Sequence, residues 1–206
     1  MPPFEIPESV IAYFQEPATR AVVDSLVSTL DDPVLPDMDR SKLINLSEGV
    51  LLACQIRADF VRFMAGLWGS TFGTALAESG LNEIFPDNCT IKEVWTEKYF
   101  WSYVTLGDDL ERNHFELTVD IDNQRSHEVT LQVWRFDEND ELQKFGPRLS
   151  VPDNWQRITD EDGDQRLEAT TNVTMNQLIA NPDEALGQLG QAASAVVPFI
   201  VRLMRP

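Results

Sequence analysis

Lysine is scarce in this chain. Its 206 residues carry four, Lys42, Lys92, Lys98 and Lys144, beside twelve arginines, and these sixteen bases face 34 acids. The formal charge is −18. Phosphate contacts require clustered Lys and Arg, so the balance predicts no direct nucleic-acid binding and no attraction to an anionic membrane surface. Cysteine is rarer still. Cys54 and Cys89 stand outside any CxxC or Cys/His pattern, which leaves no zinc signature and predicts two free thiols in a reduced, cytoplasmic chain. Histidine occurs twice, as His114 and His127, both expected at the surface. No GxSxG, HExxH or P-loop motif is present, and no cofactor is implied. The start, "MPPFEIPESV", has neither the basic residues nor the apolar run of a signal peptide. The most apolar stretch, "AVVPFIVRLM", is shorter than the ~20 residues that span a bilayer.

What is present predicts an α+β fold in a single domain, residues 1–206. Residues 1–85 read as a helical section. Val50, Cys54, Val61 and Met64 follow helical spacing, with Ser47 as the expected N-cap, Cys54 as a core residue, and "WGSTFG" at 68–73 as the helix end or a kink. "AVVDSLVSTL" predicts another helix, and "DDPVLPDMDR" a connection. Residues 90–173 predict an antiparallel meander of five or six strands. In "HFELTVDI", Phe115, Leu117, Val119 and Ile121 share one face, and Glu116, Thr118 and Asp120 the other. In "VTLQVWRF", Val129, Leu131 and Val133 alternate likewise. Matching the apolar faces sets Ile121 opposite Val129, Val119 opposite Leu131 and Leu117 opposite Val133. Further strands are expected at 141–150, 154–159 and 165–173. Residues 174–206 predict a C-terminal helix packed on the sheet, with Asp183 and Glu184 at its start and Arg202 and Arg205 at its end, as the helix dipole favours.

Charge is unevenly spread. The net is −6 over residues 1–80, −12 over 81–172 and zero over 173–206. The predicted turns hold much of the excess. Their acids, Asp108, Asp109 and Glu111, then Asp137, Glu138, Asp140 and Glu141, then Asp160, Glu161, Asp162 and Asp164, are the candidate partner-binding residues. The stretch "ITDEDGDQRLEA" at 158–169 tests a competing metal reading. An EF-hand loop has Gly sixth and Glu twelfth. Counted from Asp160, Gly163 is fourth and Glu168 ninth, so the stretch reads as a hairpin turn and no metal site is expected.

The aromatic run Trp95, Tyr99, Trp101 and Tyr103 predicts one strand face. That face is expected to be core against the helices; the alternative is that, with Trp134, Glu116 and Asp120, it forms a groove of aromatic walls and carboxylate rims suited to a cationic side chain. A separate pattern carries a resemblance. "VDID" closing one strand and "EVTLQ" opening the next resemble a restriction-nuclease-like core over about 20 residues. That resemblance implies Asp120 and Glu128 as carboxylates holding a metal that activates water. The usual lysine is replaced by Thr130.

Three function classes follow. The first is a non-enzymatic protein whose acidic loops bind and block a basic protein partner, one that handles nucleic acid, in the manner of inhibitors, immunity proteins and antitoxins. The second is a metal-dependent nuclease, or a degenerate one. The third is a housekeeping or assembly protein whose acidity is salt adaptation.

Overall fold

A computed structural model describes residues 4–31, 40–81, 91–95, 99–106, 114–122, 127–137, 139 and 141–204. The fold is α+β, with helices towards both chain termini and an antiparallel sheet between them in sequence. The chain divides into two compact units, Met1–Phe63 and Met64–Pro206.

The first unit holds α1 (Glu8–Gln15), α2 (Pro17–Asp31) and most of α3 (Arg40–Trp68). Pro17 opens α2, where a missing N–H would have had no helical acceptor. The interior is aromatic. Tyr13 meets Phe14 and Phe60 edge to face at 5.1 Å, and its hydroxyl donates to Asp24 Oδ1 at 2.9 Å. The structure shifts the phase expected for α3. The helix starts at Arg40, so Ser47 lies inside it and is no N-cap. Among its described side chains the buried ones are Ala53, Ile56, Phe60, Phe63, Met64, Leu67 and Trp68, while Val50 and Cys54 are exposed. Large rings gain most from burial, so the two phenylalanines set which face turns inward. Cys54 is therefore an exposed free thiol and not a core residue. Cys89 and the 32–39 connection lie outside the described residues.

The second unit holds the sheet, whose strands are β1 (Ile91–Trp95), β2 (Tyr99–Leu106), β3 (His114–Asp122), β4 (Glu128–Phe136), β5 (Trp155–Thr159), β6 (Gln165–Ala169) and β7 (Val173–Thr174). The order is β1-β2-β3-β4-β6-β5, and the two-residue β7 also pairs with β4. The meander runs through the first four strands only, because β6 and not β5 lies against β4. The expected register is present: Ile121 faces Val129, Val119 faces Leu131 and Leu117 faces Val133. No strand forms over 141–150. Leu142 makes one isolated bridge to Phe136, and Gly146 and Pro147 then interrupt the extended pattern. The register gives a direct prediction. Asp122→Cys paired with Glu128→Cys puts two opposed Cβ atoms about 4.5–5.5 Å apart, so mild oxidation should cross-link that pair and leave Asp122→Cys with Val129→Cys open. Peptide mapping reads the outcome.

One sheet face is the core. Val104, Leu117, Val119, Ile121, Val129, Leu131, Val133 and Leu167 are fully buried. α3 ends at Trp68, the first residue of "WGSTFG", as expected, but helical structure continues beyond it. A π-helical turn, Gly69–Gly73, joins α3 to α4 (Thr74–Glu78). Its hydroxyls collect carbonyls from the widened turn. Thr71 Oγ1 donates to Leu67 O at 2.9 Å and lies 3.2 Å from Trp68 O, and Thr74 Oγ1 donates to Gly69 O at 3.2 Å. Gly73 gives the Trp68 ring room, since an added Cβ would stand 3.3 Å from it. Trp68 Nε1 donates to Leu117 O on β3 at 2.8 Å.

The tail forms two helices. α5 (Met175–Ala180) starts in a capping box between Thr174 and Gln177, and α6 (Pro182–Met204) follows Asn181. α6 packs against the π turn and α4, and reaches β4 and β7. Trp155 Nε1, at the start of β5, donates to Ala192 O on α6 at 2.9 Å. By length and composition α6 could cross a bilayer, with mean hydropathy 1.2 over its most apolar window. The apolar run is thus longer than "AVVPFIVRLM" alone. Its Leu189, Ala193, Val196 and Val197 are fully buried within the unit.

Candidate functional site

The strand pairing sorts the connections by end. Leu106, His114, Phe136, Thr159 and Gln165 lie at one end of the sheet. The segments that leave and enter there, 107–113, 137–141 and 160–164, contain eleven acids and one arginine. The segments at the opposite end, 96–98, 123–127 and 170–172, contain one acid and two bases. All eleven candidate partner-binding acids therefore belong to connections at one end. Asp108, Asp109, Glu111, Glu138 and Asp140 are themselves outside the described residues.

The two described acidic turns share one construction. In each, the first aspartate uses Oδ1 to accept the N–H groups two and four residues on. Asp137 accepts from Asn139 at 2.8 Å and Glu141 at 3.1 Å. Asp160 accepts from Asp162 at 3.1 Å and Asp164 at 2.9 Å. Each first residue also donates its own N–H to the carbonyl four on, Glu141 O or Asp164 O, at 3.0 Å. Such side-chain bonds replace ladder bonds that a turn cannot make. Gly163 has φ +87°, a conformation costly for other residues. Asp137 and Asp160 are thus turn-forming acids, whereas the carboxylates of Glu141, Glu161 and Asp162, all exposed, make no turn bond among those described. We expect Asp160→Ala and Gly163→Ala each to destabilise the second unit by about 1–2 kcal/mol, and Glu161→Gln to shift it by less than about 0.5 kcal/mol. Urea midpoints would distinguish the two groups.

The second feature is the polar face of the sheet. Trp101 pairs with Asp120, Tyr103 with Thr118, and Glu116 with Trp134, so these side chains share a face. Trp95 belongs to another strand and pairs with Phe100, so the aromatic run is not one continuous face. Within the face a polar network is buried. Gln132 Nε2 donates to Asp120 Oδ2 at 3.2 Å, and Trp134 Nε1 donates to Gln132 Oε1 at 3.1 Å. Arg166 binds Glu168 Oε2 through Nε at 3.0 Å and Nη2 at 2.9 Å, and its guanidinium lies 5.3 Å from the Trp134 ring centre. Asp120, Gln132 and Glu168 are each at least nine-tenths buried.

Asp120 is electrostatically costly. Burial, then the Asp122 charge, then Glu168, push its pKa up to about 7, against the opposing effects of Arg166 and the Ile121 amide. Its Oδ1 is shielded from solvent and accepts no hydrogen bond of ordinary geometry. Glu128 is half-buried at the start of β4 and faces Asp122, while the register partner of Asp120 is Thr130. Among the described residues, no three His, Cys, Asp or Glu side chains are grouped to hold a metal ion.

The histidines differ from expectation. His114 is buried, because its partner in the register is Phe136 and the two rings stack at 5.1 Å. His127 is half-buried with φ +56°, and its carbonyl accepts the Met175 N–H.

No protein-family model matches this chain, and no curated protein or solved structure is detectably similar to it.

Proposed function

We propose that this is a non-enzymatic acidic interaction protein that binds and blocks a basic partner protein, one whose own basic surface handles nucleic acid. The observation that supports this reading is the gathering of three acidic connections at one sheet end. Salt adaptation alone would favour acids at every exposed connection, and the connections 96–98, 123–127 and 170–172 at the opposite end carry one acid between them. Asp137 and Asp160 hold the amides of Glu141, Asp162 and Asp164, so the carboxylates of these residues sit on backbone that is already ordered before binding. A field of one sign at one end speeds encounter with a basic surface and repels acidic competitors. The experiment is capture from the source cell, with washes of rising salt, using wild type and the triple variant Glu141→Gln, Glu161→Gln, Asp162→Asn. The reading expects one basic partner that salt releases, with association slowed several-fold and a shallower salt slope in the variant. A partner indifferent to the variant, or no basic partner at all, would sink it.

A further inference from the structure

Within the first unit, α3 carries two stripes of uncharged residues with the same 3-4-3 spacing. Ala53, Ile56, Phe60 and Phe63 form the buried one. Leu51, Cys54, Ala58 and Val61 form the other, offset by two residues and so turned about 200° along the helix. This second stripe faces solvent. Leu51 is 70% exposed, Cys54 and Ala58 are exposed, and Val61 is half-buried. Alternating 3-4 spacing is the seam of paired helices, and the aromatic interior on the other side of α3 does not use this face.

The charges beside the stripe select what covers it. From Glu48 to Arg62 the chain has two acids, Glu48 and Asp59, and two bases, Arg57 and Arg62, so this stretch is neutral in a chain of −18. Two copies of the chain repel each other least across such a face. Glu48, Gln55 and Arg62 recur at seven-residue intervals along one edge of the stripe. A second α3 laid antiparallel, with Leu51 facing Val61 and Cys54 facing Ala58, sets Glu48 against Arg62, Gln55 against Gln55, and Arg62 against Glu48. The small Cys54 and Ala58 then meet at the centre, where they allow the backbones to approach. Arg62 pairs with Asp59 on its own helix, yet its side chain is 71% exposed, and a guanidinium has donors enough for a second carboxylate. On the other edge Arg57 meets its own copy, a contact that a long side chain relieves by turning its head to solvent. A partner helix of one charge sign would meet a like charge at one end of the Glu48–Arg62 edge, whereas a second copy is complementary at both.

We propose that the exposed face of α3 is a homodimer contact, in which two copies pair antiparallel about a two-fold axis beside Gln55. The full chain is tested by analytical ultracentrifugation over a concentration series. Wild type should pass from monomer to dimer as concentration rises. Leu51→Glu should weaken the dimer at least tenfold and, at an exposed position, leave the melting curve unchanged. Glu48→Arg and Arg62→Glu each oppose like charges in their own homodimers, so each should be monomeric where wild type is dimeric. Mixed in equal amounts, they bring opposite charges together at both ends of the edge, and the dimer should return. Cross-linking reads the direction. In a background of Cys54→Ser and Cys89→Ser, Leu51→Cys and Val61→Cys chains should form a disulfide when mixed and oxidised. Neither should do so alone, because like positions stand about 15 Å apart along the axes. A wild type that stays monomeric at near-millimolar concentration would overturn the proposal. So would a dimer indifferent to Leu51→Glu, a mixture of the charge variants that stays monomeric, or Leu51→Cys chains that cross-link to one another, the mark of a parallel pair.

Discussion

Asp120→Asn should make the protein more stable, and the gain should depend on pH. A carboxyl raised from 3.8 to about 7 corresponds to a differential interaction of about 4 kcal/mol between its two protonation states. The sign follows from proton binding. Between these two values the folded chain holds the Asp120 proton more tightly than the unfolded chain does, so stability falls as pH rises through that window. Below about pH 4 the acid is neutral in both states and the penalty is absent. Above about pH 7 the penalty is present in full. Asparagine resembles the neutral acid at every pH. The groups that set the effect are Asp122, Glu168 and Arg166 on the same face, with Gln132 in direct contact. We therefore expect Asp120→Asn to gain about 2–4 kcal/mol at pH 8 and much less at pH 4.5. Paired urea titrations at the two pH values measure the difference. A gain independent of pH would assign the effect to packing and not to charge. A residue that costs this much stability in place is a candidate for function, since such costs concentrate at functional sites.

Trp155→Ala should produce the largest loss. The side chain is 7% exposed at the start of β5, and its indole N–H reaches across to Ala192 O on α6. Truncation removes a large apolar side chain and leaves a cavity, at a cost of about 3–5 kcal/mol. Trp155→Phe keeps most of the volume and loses the hydrogen bond, for about 1–2 kcal/mol. The ratio between the two, read from denaturation midpoints, separates packing from the bond. Equal losses would mean that the ring itself contributes little to joining β5 and α6.

The central sheet could be read from sequence because its physics is local. Strict alternation in 115–121 and 129–133 leaves one register that keeps apolar faces together, and the structure has that register. The hairpin at "DEDGD" was equally legible, since Asp and Gly announce a turn by their own chemistry. The partners of Asp120 were not. Glu168 and Arg166 reach this face only because β6 lies against β4, a pairing out of chain order. Periodicity within one strand carries no sign of that. The α3 stripe failed for a related reason. Several apolar residues around Val50 and Cys54 allowed two helical phases, and tertiary burial of Phe60 and Phe63 decided between them. His114 is buried at a strand end, where sequence suggests exposure, because its cross-strand neighbour Phe136 covers it.

The π-helical turn at Gly69–Gly73 makes this part of the chain a place where length, and not only composition, can change. An α-helix advances about 100° for each residue. Deleting Ser70 alone would let Trp68 and Thr74 join in a regular α-helix, with every hydrogen bond of that helix satisfied. A π turn closes one residue later than an α turn, so the shortened chain would span the same turn with one residue fewer and leave the buried Ala75 and Leu76 close to their present face. It would lose the widened turn itself, whose carbonyls Thr71 and Thr74 now collect. The extra residue thus acts as slack held within one turn, an arrangement open to insertion and deletion as well as to substitution.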